Sequence, residues 1–260
     1  MKSQHRMLFA FIALLLAVSL ACYGGLTSPT ATLVPTNPPP PIIAPTPTNV
    51  PPPTADVLQP PTPPIDQPSS AQDFFTEEFD NGVDNWTYFT TKNDSSADDT
   101  GAQPIADNGF LVMDIGKYLN VYAMYDPYIY GDVRLDARVD NRGTNNNNIN
   151  LVCRYSEEGW YEIAIANNGL YWLYAYDGAK GSYTLLADGG SNKIVAGKET
   201  NEYTFICNDR NLIVQINGFD TTTFTDNQFV FREGQIGVGL SSFDSVPVKV
   251  EFDWVKISQP

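Results

Sequence analysis

Residues 131–141 read GDVRLDARVDN. Val133, Leu135, Ala137 and Val139 fall on one side of an extended chain. Asp132, Arg134, Asp136, Arg138 and Asp140 fall on the other. A strict period of two is the pattern of a β-strand with one buried and one wet face. Short alternating runs recur on both sides, at 109–115, 118–125, 149–155, 159–166, 170–177, 182–187, 202–208, 211–217, 219–225, 234–241 and 247–257. Turn signals stand at the joints: Asn168-Gly169, Asp177-Gly178, Asp188-Gly189-Gly190 and Asn217-Gly218. No run carries the period of an amphipathic helix. About a dozen short strands in one domain, residues 72–260, predict an all-β fold, a two-sheet antiparallel jelly-roll sandwich.

Several stretches together resemble the concanavalin A-like lectin/glucanase superfamily, near its laminin-G-like and 3-keto-disaccharide hydrolase-type domains. They are EEFDNGVDNW (77–86), NINLVCRYSEEGWYEIAI (148–165), NGLYWLYAYDG (168–178), EYTFICNDRNLIVQING (202–218), GQIGVGL (234–240) and VEFDWVKI (250–257). The resemblance covers nearly all of 74–257 and lies in spacing, not in a catalytic signature. It implies a curved sandwich whose concave face often binds glycans, with the first and last strands close together.

The chain opens differently. Lys2 and Arg6 precede an apolar run from Met7 to Leu20, followed by Ala21-Cys22. This is the make-up of a secretory signal, residues 1–21. Val18-Ser19-Leu20-Ala21-Cys22 resembles the lipobox of bacterial lipoproteins, with Ser19 replacing the usual large aliphatic. That resemblance implies cleavage before Cys22, a diacylglycerol on its sulfur and an extracytoplasmic protein held at the bacterial envelope only by its lipid. The other reading is an ordinary signal peptide followed by a bystander cysteine. Residues 22–71 are rich in Pro and Thr, with PPPP at 38–41 and PPP at 51–53. They have no apolar period, and proline removes backbone donors, so a disordered, extended stalk is expected. Some forty residues at about 3.1 Å each would reach roughly 100 Å.

The formal net charge is −15. That excess argues against nucleic acid as a partner and suits neutral ligands or divalent cations. His5 is the only histidine and lies in the leader, which removes Ser-His-Asp and Cys-His catalysis and His-ligated metal sites from consideration. Cys153 and Cys207 remain beyond Cys22. In an exported chain they read most simply as a disulfide, the alternative being two buried thiols.

The hairpin GWYEIAIANNGLYWLYAYDG (159–178) holds the candidate binding surface. With a two-residue Asn168-Gly169 turn, Ile165 meets Trp172, and Trp172, Tyr174 and Tyr176 face the core. With a three-residue Asn167-Asn168-Gly169 loop, Ile165 meets Tyr171 and Ile163 meets Leu173, because a one-residue slip exchanges the faces. The second register pairs aliphatics with apolar partners and puts Trp160, Glu162, Ala164, Trp172, Tyr174 and Tyr176 outside; it is the one expected here. Rings of that kind stack on the apolar faces of sugars, while a carboxylate bonds hydroxyls, so carbohydrate is the expected ligand. The same residues could also simply stiffen a β-surface.

Hydrolysis of a glycan needs two carboxyl groups about 5.5 Å apart, or about 6.5–9.5 Å apart for inversion. Glucanases of the resembled fold carry Glu-x-Asp-x-x-Glu on one strand, whereas Tyr161-Glu162-Ile163-Ala164-Ile165 offers one carboxylate. A non-catalytic binding module is therefore expected. A glycoside hydrolase-like enzyme and a protein-binding adhesion module are the alternatives. A structural calcium would draw on Asp80, Asn81 and Asp84, joined by Asp253 if the last strand lies beside the first, or on Asn93, Asp94, Asp98 and Asp99. Neither set has the spacing of a calcium loop. The run Asn145 to Asn148 reads as a turn or loop.

Overall fold

A computed structural model describes residues 74–260. The expected leader (1–21), the lipidation site Cys22 and the stalk (22–71) lie outside the described residues. Fifteen strands and no helix are found among those described. The first five are β1 (Phe75–Glu77), β2 (Trp86–Lys92), β3 (Ile105–Asp107), β4 (Phe110–Ile115) and β5 (Leu119–Tyr125). Then come β6 (Val133–Asn141), β7 (Asn147–Ser156), β8 (Gly159–Ala166), β9 (Leu170–Asp177) and β10 (Ser182–Gly190). The last are β11 (Thr200–Asn208), β12 (Asn211–Ile216), β13 (Phe219–Thr225), β14 (Gln235–Ser242) and β15 (Val248–Ser258).

They form two antiparallel sheets. One has eight strands in the order β13-β12-β11-β6-β15-β4-β3, with β1 also paired to β15. The other has seven, in the order β10-β9-β8-β7-β14-β5-β2. The first and last strands are thus neighbours, with Phe75 opposite Ile257. The jelly-roll sandwich expected from the alternating runs is the fold observed.

The alternation of 131–141 explains the packing. Val133, Leu135, Ala137 and Val139 are at most 2% exposed and point between the sheets. Asp136 and Asp140 stay on the outer side, paired with Arg134 and Arg142. The seven-stranded sheet supplies the opposite wall through Val121, Ile149, Leu151, Ile163, Leu173, Val238 and Leu240, all essentially inaccessible. Cys153 on β7 and Cys207 on β11 are bonded, with their Cα atoms 6.7 Å apart. The bond crosses the core from one sheet to the other rather than joining neighbouring strands within a sheet. Just beyond it the β7–β8 ladder is interrupted by a register shift, and Arg154 takes a left-handed φ of 57°. Its buried guanidinium donates to the carbonyls of Gly131, Asp209 and Phe231 and to Asp132 Oδ1, so one side chain ties three loops.

Three expectations are corrected. Asp188-Gly189-Gly190 is not a joint, because β10 runs on to Gly190. Glycine is needed there for close approach: a Cβ on Gly189 would stand 2.5 Å from the Tyr171 hydroxyl. Asn147 and Asn148 belong to β7 rather than to a turn. Asn147 is buried and takes part in an amide chain, Asn167 to Asn147 to Asn141 to Asn145, that knits the strand end. The alternation left out β1, β2 and β3, whose runs are polar or short; only the family resemblance implied a first strand beside the last.

Candidate functional site

The hairpin of β8 and β9 closes through the three-residue loop. Gly169 takes a φ of 100°, and its amide bonds the Ala166 carbonyl at 3.1 Å. Ile165 pairs with Tyr171, Ile163 with Leu173, and Glu162 with Tyr174. Tyr161, Ile163, Ile165, Tyr171, Leu173 and Ala175 therefore enter the core. Trp160, Glu162, Ala164, Trp172, Tyr174 and Tyr176 share the outer face of the seven-stranded sheet, in the register the aliphatic pairing favoured.

That face is less open than the sequence suggested. Trp160 stacks on Tyr176, with ring centroids 3.9 Å apart, and touches Tyr155, Phe89 and Tyr183. It is 8% exposed and acts as packing, not as a free platform. Together with Tyr122, Met124 and Val152 it builds a second, smaller apolar cluster on the outside of the sheet.

Glu162 stands at the edge of this cluster and is only 4% exposed. The Tyr122 hydroxyl donates to both of its oxygens at 3.1 Å, and the Trp160 indole and the Tyr183 hydroxyl donate to Oε2 at 3.1 Å. Burial pushes its carboxyl above the usual carboxylate range, while the bonds from Trp160, Tyr122 and Tyr183 pull the other way. Burial and the neighbouring Glu162 likewise push the Tyr122 and Tyr183 hydroxyls up. The reach from β5 to β8 depends on β14 between them. A Cβ on Gly239 would stand 2.8 Å from the Tyr122 ring, so glycine lets Tyr122 lie flat across that strand.

Beside Glu162 the face sinks into a depression of about 240 Å³. Asn93, Asn120, Asn148 and Ser241 give it amides and a hydroxyl, and Tyr174, Tyr183 and Phe243 give it rings. Asn93 and Asn120 bond each other, and Asn150, beneath, donates to the Ser241 hydroxyl at 2.8 Å. Such a lining can hold a hydroxylated ligand by its polar groups and its flat faces at once. Glu162 is the one carboxyl in the lining. Asp188, opposite Trp172, is on β10, two strands from β8, so its backbone lies about 10 Å sideways from that of Glu162.

Of the expected binding residues, Glu162 and Tyr174 line the depression; Trp160 and Tyr176 lie outside the lining and pack against Tyr183, which is part of it, and Trp172 shares the face outside the lining. Sequence reading missed Tyr122, Tyr183 and the Asn93–Asn120–Asn148 amides. The alternation Asn120, Tyr122, Met124 against Gly237, Gly239, Ser241 carried the signal: glycines on one strand beside large residues on the next. The calcium candidates do not gather. Among the described residues no group of three or more His, Cys, Asp or Glu side chains is placed to hold a metal. β15 does lie beside β1, yet Asp253 turns to Arg138 at 3.2 Å. In the second set Asp94 and Asp98 accept the Ser96 and Thr100 amides, and Asp99 pairs with Lys92.

No protein-family model matches the chain, and no curated relative matches it. Solved structures do. The β-glucanase of Bacillus licheniformis is 13% identical, over 74% of this chain and 100% of that one, with a TM-score of 0.54. A β-1,3-glucanase from Mycobacterium marinum is 12% identical over 73% and 100%, with a TM-score of 0.52. A Bacillus subtilis protein of unknown function with a galectin-like fold is 11% identical over 71% and 94%, with a TM-score of 0.55. At such identities the likeness is one of fold, and the fold is the concanavalin A-like sandwich.

Proposed function

We propose that this chain is a carbohydrate-binding module that grips its ligand on the outer face of the seven-stranded sheet and does not hydrolyse it. The observation that carries the reading is the depression beside Glu162, with amides, phenol hydroxyls and rings converging on one small volume. Its single carboxyl supports binding over hydrolysis, which needs a second acid within about 9.5 Å. The signal, the lipobox-like Cys22 and the proline-rich stretch support a lipid-anchored protein that presents the module outside the cell on a long stalk.

The test is a glycan array probed with the full chain, purified in a detergent without sugar headgroups, beside Tyr174→Ala. Binding by the unchanged protein, weakened about tenfold or more in the variant, is the expected result. A folded protein that binds none of the glycans would overturn the proposal. Mass spectrometry of the membrane-bound form checks the anchor, which should appear as a diacylglycerol mass on Cys22.

A further inference from the structure

Building on the carbohydrate reading, we infer that the ligand of this depression carries a positive charge, and that its class is an amino sugar with a free amine. Three observations lead there. The first is what surrounds Glu162. Its partners are two phenols and an indole, all neutral, and no lysine or arginine pairs with it among the described residues. The buried cation Arg154 has a counter-ion, Asp132, beside three carbonyls. The other buried carboxylate, Asp226, also lacks a cation, but the Tyr161 hydroxyl and three backbone amides, of Gln228, Phe229 and Val230, converge on its two oxygens. A buried carboxylate without a cation is costly, and a ligand that covers it removes its remaining water. A neutral ligand deepens that cost, whereas an ammonium group offsets it.

The second is a shortage of donors. Glu162 Oε1 accepts from Tyr122 alone, so lone pairs remain on it. Asn150 Oδ1, two pairs away along the β7–β8 ladder, is buried with no hydrogen-bond partner. Asn150 is opposite Ala164 of the lining, and its amide nitrogen is already committed to Ser241, another lining residue. An ammonium brings three donors and no acceptor, which fits this deficit. The third is the lining. Tyr174 and Tyr183 turn rings toward the space, and ring faces attract cations as well as sugar C–H groups. Asn93, Asn120 and Asn148 would be wasted on a bare alkylammonium; they suit the hydroxyls of a sugar ring.

Isothermal titration of the full chain, in the same detergent at physiological salt, compares three probes: a glucosamine tetramer, its fully N-acetylated counterpart and a neutral β-1,3-glucan tetramer. The free amine should bind about tenfold tighter than either neutral probe, the difference between a neutral and a charge-assisted bond. Glu162→Gln keeps the shape and an acceptor; it should erase that preference, bringing the affinities for the amine and the neutral probes within about threefold of one another. Equal affinity for amine and acetamide in the unchanged protein would overturn the inference and leave the carbohydrate reading standing. So would a preference that survives Glu162→Gln, which would belong to the bulk negative charge. Should Glu162→Gln fail to fold, high salt decides: attraction by exposed charge is screened away, a buried pair much less so. No binding of any of the three probes would remove the carbohydrate reading itself.

Discussion

Tyr122 holds its place in the site by one hydroxyl. Removing that oxygen with Tyr122→Phe keeps the ring on Gly239 but takes a donor from a buried carboxylate. Urea unfolding should show a loss of about 1–2 kcal/mol, and carbon NMR should show the Glu162 carboxyl titrating still higher. Asp226 makes the opposite case. Burial pushes its carboxyl up, but the Tyr161 hydroxyl and the amides of Val230, Gln228 and Phe229 outweigh this and hold it below the ordinary value. Because the folded value is the lower one, its contribution to stability is present above about pH 4 and drains away as pH falls through the folded value. Asp226→Asn should therefore cost about 2 kcal/mol at pH 7 and progressively less as pH falls below about 4, measured as unfolding curves along a pH series. At this scale the sequence placed Glu162 on the correct face, because register alone decides that. Its burial was invisible: Tyr122 and Tyr183, which cover it, stand 40 and 21 residues away on strands whose neighbours no local pattern names.

Strands that alternate could be read and strands that do not could not. β6, β8 and β9 were legible because each shows the core one apolar stripe. β2 was not, since WTYFTTK buries only its first residue. β10 was cut short for a different reason: Gly189 and Gly190 look like a turn when read locally, and the need for glycine at 189 appears only once Tyr171 crosses it. The glycines of β14 follow the same logic and allow a sharp test. Gly239→Ala would set a methyl 2.8 Å from the Tyr122 ring and 2.9 Å from the Val121 carbonyl. Overpacking of this kind should cost about 1–3 kcal/mol in denaturant unfolding and, by lifting Tyr122 off Glu162, should lower glycan affinity as well.

At the scale of the whole molecule, the two sheets are held by their shared core and by one covalent crossing. The Cys153–Cys207 bond closes a loop of 54 residues. By the loop-entropy relation, the double variant Cys153→Ala/Cys207→Ala should lose about 4 kcal/mol, read as a fall in the urea midpoint that reductant reproduces in the unchanged protein. The fold class, the cysteine pair and the proximity of the chain's first and last strands could all be anticipated. Which strands face each other across the core could not, because nothing local in a strand names its partner in the other sheet.

The hydrogen bonds of Glu162 have a consequence for how the molecule would behave in use. They come from β5, β8 and β10, and the outermost donors, Tyr122 and Tyr183, are 61 residues apart in sequence. The carboxylate is dressed only when β5, β14, β7, β8, β9 and β10 are all in place and in register. Capture of a ligand is then a certificate of assembly. A half-folded or slipped chain has no partial site to offer, and every ligand held tightens the entire sheet rather than one loop of it.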